Sequence, residues 1–242
     1  MRWLVLAAVG GCAPGVASTA KDSGTAVTPT SPTSATVDTT LPTTSGTSPT
    51  DTGDGCPSVG EDTRAAIVTD IDETLTTSDG EWLTQIVDPF HDPAMRPDAN
   101  TVMQGYLALG YRVFYLTARG RGLRLLDGTP AQDATEDWLD AHGFPYTSDG
   151  VFLADGLGAF GNSAADYKID ILADLQADGF EFAYAYGNAD TDIEAFQAVG
   201  IPDTNIFLVG KLAGQMGVVG LTDQEAYTDH LPYVAAQGCA PR

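Results

Sequence analysis

Basic residues are scarce in this chain: 11 Lys and Arg stand against 33 Asp and Glu, for a formal net charge of −22. That deficit argues against binding to a nucleic-acid backbone, and against electrostatic docking on anionic lipid, because both need clustered cations. Histidine is nearly absent as well. His91, His142 and His230 are the only three and are scattered, so no zinc cluster is expected. There are three cysteines, Cys12, Cys56 and Cys239, and none has the close Cys or His companion of a metal site. The apolar run near the start, Trp3 to Val9, is too short to cross a bilayer as a mature helix.

What is present at the amino terminus reads as an address. Arg2 followed by an apolar stretch has the layout of an export signal. Its end, Val9-Gly10-Gly11-Cys12, resembles the lipobox of bacterial lipoproteins, where the cysteine thiol is acylated after cleavage. An ordinary signal peptide cut near Ala13 or Ala17 is the alternative. Either reading sends the protein out of the cytoplasm, and the lipobox implies lipid anchoring through Cys12 to the cell envelope. The expected organisation is a signal and lipobox at 1–12, a Ser/Thr/Pro-rich tether at 13–57 and a folded domain at 58–242. The tether has almost no large apolar residues to offset its ordering entropy, so disorder is expected. Such a segment spans roughly 35 Å. Cys56 and Cys239 bracket the folded part. In an oxidising compartment they are most simply a disulfide, with two free exposed thiols as the alternative.

The folded part alternates short apolar runs with helical patterns, which predicts βαβ units and a parallel sheet flanked by helices. Strands are expected at Ala65–Thr69, Arg112–Leu116, Val151–Leu153, Phe182–Tyr186 and Ile206–Val209. Helices are expected at Ala99–Leu109, Ala131–Ala141, Tyr167–Ala177 and Asp190–Val199, with stops at Gly110, Gly143, Gly179 and Gly200. In open α/β sheets ligands bind off the carboxyl ends of the strands. The polar residues at three of these ends are Asp70, Thr117 and Asn188.

The chemistry available there is specific. Asp70 and Asp72 lie one residue apart in the turn Asp70-Ile71-Asp72-Glu73-Thr74. One such carboxylate can attack phosphorus, and the other can protonate the leaving oxygen. Thr117 can hydrogen-bond a phosphoryl oxygen and Lys168 can neutralise the charge that develops. Magnesium fits an all-oxygen site of Asp70, the Asp72 carbonyl, Asn188, substrate and water, with Asp192 near the same turn. The plainer alternatives are a solvated acidic turn, a surface lysine, and Asp190 and Asp192 as helix caps.

The succession DIDET (Asp70–Thr74), LTAR (Leu116–Arg119), Lys168 and GNADTD (Gly187–Asp192) resembles the four motifs of phosphatases of the haloacid-dehalogenase-like (HAD) superfamily. YLTAR from Tyr115, YKIDIL from Tyr167, YGNADTDIEAFQAVGIPDTNIFLV from Tyr186 and YTDHLPYV from Tyr227 are most similar to its lipin/LNS2 group of phosphatidate phosphatases and lipid-sensing domains. The resemblance implies Asp70 as nucleophile and Asp72 as acid/base. It implies Thr74, Thr117, Arg119 and Lys168 as substrate ligands. Around Mg2+ it implies Asp70, Asp72 and Asn188, with Asp192 behind them. Two positions depart from the lipin pattern: Glu73 stands where lipins usually have glycine, and Ala189 where an arginine is often found. The segments Leu75–Ala99 and Gly120–Asp166 are too short for a large cap, so an open, capless site is expected. The substrate is expected to be a phosphomonoester, with a lipid phosphate at the envelope as the leading reading. A nonspecific acid phosphatase or nucleotidase and a non-catalytic lipid-phosphate-binding module are the alternatives.

Overall fold

The computed structural model describes residues 55–242. The expected signal, lipobox and most of the tether lie outside the described residues. Within them the order is β1 (Ala65–Thr69), α1 (Gly80–Val87), α2 (Ala99–Ala108), β2 (Arg112–Gly120), α3 (Ala131–Ala141) and β3 (Val151–Ala154). It continues with α4 (Asn162–Ala177), β4 (Glu181–Gly187), α5 (Asp190–Ala198), β5 (Ile206–Leu208), β6 (Val219–Gly220) and α6 (Leu231–Ala235). The six strands form one sheet in the order β3-β2-β1-β4-β5-β6, and every pairing is parallel.

Side chains alternate across this sheet because successive residues of a strand point to opposite faces. Ile67 of β1, Val113 and Tyr115 of β2 and Phe207 of β5 pack on one face with α2, α3 and α6 through Met103, Trp138 and Val234. Val68, Phe114, Leu116, Ile206 and Leu208 pack on the other with α4 and α5 through Leu172, Ile193 and Phe196. Strands buried on both sides therefore read as continuous apolar runs, as Ala65–Thr69 does. The segment after β1 folds into one eight-residue helix, α1, and carries no separate cap. Cys56 and Cys239 are joined by a disulfide, tying the two ends of the described domain across 183 residues.

Several boundaries differ from the sequence-based expectation. β2 runs on through Thr117 to Gly120, its pairing with β3 shifting register between Thr117 and Gly120. Thr117 and Arg119 thus lie inside a strand end, not in a loop. α4 begins at Asn162, five residues early, so Lys168 sits in its second turn. α1, β6 and α6 were not expected. Each is eight residues or shorter, below the length at which helical or strand periodicity becomes legible.

On the α2/α6 face a chain of buried polar groups crosses the aromatic core. The Tyr106 and Tyr186 hydroxyls lie 2.8 Å apart, and Tyr186 Oη is 2.9 Å from His230 Nε2. The His230 ring stacks on Tyr233 at 4.8 Å, and burial lowers its pKa to about 4. A folded-state value below the unfolded one gives a defined sign. The contribution is complete above pH 6.5, where both states are neutral, and is lost as the pH falls toward 4 and the unfolded chain takes up the proton first. Discounted for residual exposure, the loss is roughly 2 kcal/mol. Denaturant unfolding at pH 7 and pH 4.5 should therefore show wild-type protein losing about that much more than His230→Gln. Equal losses in the two proteins would contradict the assignment.

Candidate active site

Three strands deliver the site. Asp70 follows β1, its backbone N–H donating 2.9 Å to the Tyr186 carbonyl of the neighbouring strand. Asp70 is 4 % exposed, and its carboxylate is held on both oxygens. Lys168 Nζ donates to Oδ1 at 2.7 Å, and the Thr74 hydroxyl lies 2.9 Å from Oδ2. Lys168 is itself buried, and its ammonium also donates 2.5 Å to Asp192 Oδ1. One cation thus lies between two buried carboxylates.

Asp192 is the third residue of α5, and its other oxygen accepts from the backbone N–H groups of Asn188 and Ala189 at 2.9 and 3.0 Å. A carboxylate there satisfies donors at the start of a helix that would otherwise be unpaired. The close approach requires Gly187, since a Cβ at that position would stand 2.7 Å from Asp192 Oδ2. Both Asp192 oxygens are consequently committed. The structure makes it the anchor of Lys168 and of the Asn188 turn. Asn188 is reached through Oδ1, 3.0 Å from the Thr74 hydroxyl that also bonds Asp70.

The second carboxylate is held differently. Asp72 accepts from Arg119 Nε at 3.0 and 2.9 Å, from Arg119 Nη2 at 2.8 Å and from the Thr117 hydroxyl at 2.8 Å. Arg119 has only 1 % of its side chain exposed. Its Nη1 donates 3.0 Å to Thr135 of α3, and its guanidinium lies 4.5 Å from the Trp82 ring centre. Thr117 and Arg119 therefore face Asp72 in this state, where the sequence placed them toward substrate. Their alternating positions, 117 and 119 on a strand, put both on one face and explain why they act together. Trp82, Thr135 and Asp79 were missed by sequence reasoning; they sit on α1, on α3 and in the turn before α1, outside the four motifs.

The balance of charge at the site is negative. Burial, with Asp192 and Asp72 nearby, pushes the Asp70 carboxyl above the usual carboxylate range against the pull of Lys168. Burial and the charges of Glu73 and Asp72 raise Asp79 as well. Burial disfavours the Lys168 ammonium, but Asp192 and Asp70 overcome it and keep it charged. Beside this cluster opens a groove of about 360 Å³, with Asp72, Asp79 and Arg119 at its polar end and Trp82, Leu83, Ile86, Leu123, Leu157 and Phe160 along its walls. The loop after β3 closes one wall by bridging Gly158 to Arg119. Gly120 permits this seat, because a Cβ there would come within 2.1 Å of the Leu157 backbone.

An open parallel sheet whose central strand ends in this Asp-x-Asp turn, faced by Thr117, Lys168 and the Asn188 turn, is the arrangement of a HAD-like α/β domain. The chain matches the family model of the PITM 1-3 LNS2 domain over residues 67–210 and belongs to that family. It is 28 % identical over 179 residues to protein retinal degeneration B of Drosophila melanogaster, covering 73 % of this chain and 13 % of that protein. It is 27 % identical over 159 residues to membrane-associated phosphatidylinositol transfer protein 3 of Mus musculus and of Homo sapiens, covering 65 % of this chain and 15 % of each. The chain thus spans about a seventh of the length of these relatives. Among solved structures, it is similar to a class C acid phosphatase from Bacillus anthracis with tungstate bound, at 18 % identity and a TM-score of 0.38 over 58 % of this chain and 62 % of that one. It is similar also to DsGPDH of Dunaliella salina, at 17 % identity and a TM-score of 0.37 over 62 % and 24 %.

Proposed function

We propose that this protein is a magnesium-dependent phosphomonoesterase that acts on a lipid phosphate through an aspartyl-phosphate intermediate. The observation that carries the reading is the apolar groove opening directly on Asp72 and Arg119. A phosphate lodged against Asp70 would extend its ester substituent along walls of Trp82, Ile86, Leu123 and Phe160, which offer apolar surface and few hydrogen-bond partners to a sugar or base. Three of the apolar side chains that line the groove also stand well exposed: Leu83 on α1, and Leu157 and Phe160 after β3. Exposed apolar surface of that extent around a site fits an interfacial substrate.

In the first half-reaction an Asp70 carboxylate oxygen bonds to phosphorus as the ester oxygen departs, taking a proton from Asp72. Water then attacks the phosphoaspartate, Asp72 accepts its proton, and phosphate leaves with Asp70 restored. Lys168 and Thr74 hold Asp70 in place and offset its charge. Phosphate competes with Asp72 for the Thr117 and Arg119 donors, so its arrival frees the Asp72 carboxyl to turn toward the leaving oxygen. Among the described residues no three His, Cys, Asp or Glu side chains form a metal cage. The surplus negative charge and the Asp70 and Asn188 oxygens, meeting on one hydroxyl, fit a sparsely liganded hard cation. Asp70, the Asn188 amide oxygen and the Asp72 carbonyl would hold magnesium, which keeps several waters of its own. When bound, it supplies charge neutralisation for the transferring phosphoryl group.

Export and acylation at Cys12 belong to the same proposal, since an anchored domain meets bilayer substrates at high effective concentration. The Cys56–Cys239 disulfide supports an oxidising compartment. A second reading, a lipid-phosphate-binding module without turnover, is favoured by the bidentate Arg119–Asp72 pair, which withholds the acid in the state described. Phosphate release from phosphatidate in mixed micelles, a nucleotide and a sugar phosphate, each with magnesium and with excess chelator, tests the readings. Phosphatidate hydrolysis silenced by chelator is expected. Hydrolysis of the nucleotide but not of phosphatidate would establish the acid-phosphatase alternative, and phosphatidate binding without release the module.

A further inference from the structure

Glu73 occupies a conformation that suits another residue. Its φ is +57°, in the left-handed region, where a side chain costs on the order of 1 kcal/mol and glycine is at ease. The backbone is held there from both sides. The Glu73 N–H donates 3.0 Å to the Thr76 hydroxyl, and its carbonyl accepts from Arg96 Nε and Nη2 at 3.3 and 3.0 Å. Arg96 is 2 % exposed and is fixed in turn by the Gln224 carbonyl and Glu225 at 3.0 and 3.1 Å. None of these contacts uses the Glu73 side chain, so glycine would fill the backbone role with less strain. A carboxylate here therefore has a task of its own.

Among the described residues, its carboxylate hydrogen-bonds to Asn188. Glu73 Oε2 accepts from Asn188 Nδ2 at 3.2 Å, while Asn188 Oδ1 turns toward the Thr74 hydroxyl and Asp70. The two ends of an amide are nearly the same size, and shape alone does not choose between them. Charge does. Rotating the amide by half a turn would set Oδ1 against the Glu73 carboxylate and aim an N–H pair at the place where a cation needs a lone pair. We propose that Glu73 is a positioning residue that locks the Asn188 amide with its oxygen facing Asp70, so that the cation site is assembled before the cation arrives. This rests on the reading above in which Asn188 holds that cation.

The test is direct cation binding by the full chain, with Mn2+ followed by electron paramagnetic resonance and Mg2+ by calorimetry, together with thermal melting in chelator. Glu73→Gly should weaken the cation about tenfold or more, the usual scale for losing the partner of a metal ligand. It should melt no lower than wild type in chelator, because the left-handed strain is relieved. Glu73→Gln keeps an oxygen that can accept from Asn188 Nδ2 and should bind within about threefold of wild type. Wild-type affinity in Glu73→Gly would overturn the role. So would a Glu73→Gln as weak as Glu73→Gly, since charge and not the hydrogen bond would then be the cause. Wild-type protein that takes up neither cation would defeat the metal reading beneath it and this role together.

Discussion

Asp70→Asn should lower phosphate release by at least about a thousandfold, equivalent to some 4 kcal/mol of transition-state stabilisation, while leaving the fold intact. The amide keeps the shape of the carboxylate, and its oxygen can still accept from Lys168, 2.7 Å away in the wild type. What it lacks is an anionic oxygen able to bond to phosphorus. Stability should change by less than about 1 kcal/mol, because Lys168 keeps Asp192 as counter-charge and one poorly solvated carboxyl is removed. Phosphate release under single-turnover conditions, with urea unfolding as the companion measurement, separates the two effects. Retention of more than a few per cent of activity would remove Asp70 from the nucleophilic role, and a large loss of stability would make the activity result uninformative about chemistry.

The strand ends were legible because their signals are local. Four apolar residues and a threonine running into Asp70, or Tyr186-Gly187 running into Asn188, announce a buried parallel strand that delivers a polar group, whatever surrounds them. The partners of those groups were not legible, because they depend on register and helix phase. Nothing local to Arg119 says that it reaches back to Asp72; that follows from β2 continuing three residues past Thr117, to Gly120, with its pairing to β3 shifted there. Likewise Lys168 was expected as a ligand of phosphate, yet its reach to both Asp70 and Asp192 depends on α4 starting at Asn162 and lying beside α5. α1 was not legible because eight residues are too few to establish a helical period, although Trp82 and Leu83 define a wall of the groove. Glu73 stood out in the sequence as a departure from the lipin pattern. Only its backbone angle and its contact with Asn188 turn that departure into a testable role.

Lys168→Met should be the most damaging single change to the fold at this site. The ammonium is buried and bonds Asp70 and Asp192 together. Replacing it by an apolar chain of similar volume leaves two carboxylates facing each other without their counter-charge. Removing one partner of a buried ion pair costs about 3–5 kcal/mol, because the remaining charge stays poorly solvated. Activity should fall with it, since Asp70 loses both its anchor and its neutralising cation. Loss of activity alone would not distinguish a folding defect from a chemical one, so the decisive measurement is a double-mutant cycle in urea with Asp192→Asn, run in chelator. Asp192→Asn should itself destabilise, as it weakens the acceptor for the Asn188 and Ala189 N–H groups. With Lys168 already gone, however, the same change relieves carboxylate repulsion. The double variant should therefore be more stable than the sum of the single losses implies by about 1.5 kcal/mol or more. Additive losses would mean that Lys168 and Asp192 do not act on one another in solution, and the anchor assigned to α5 would have to be sought elsewhere.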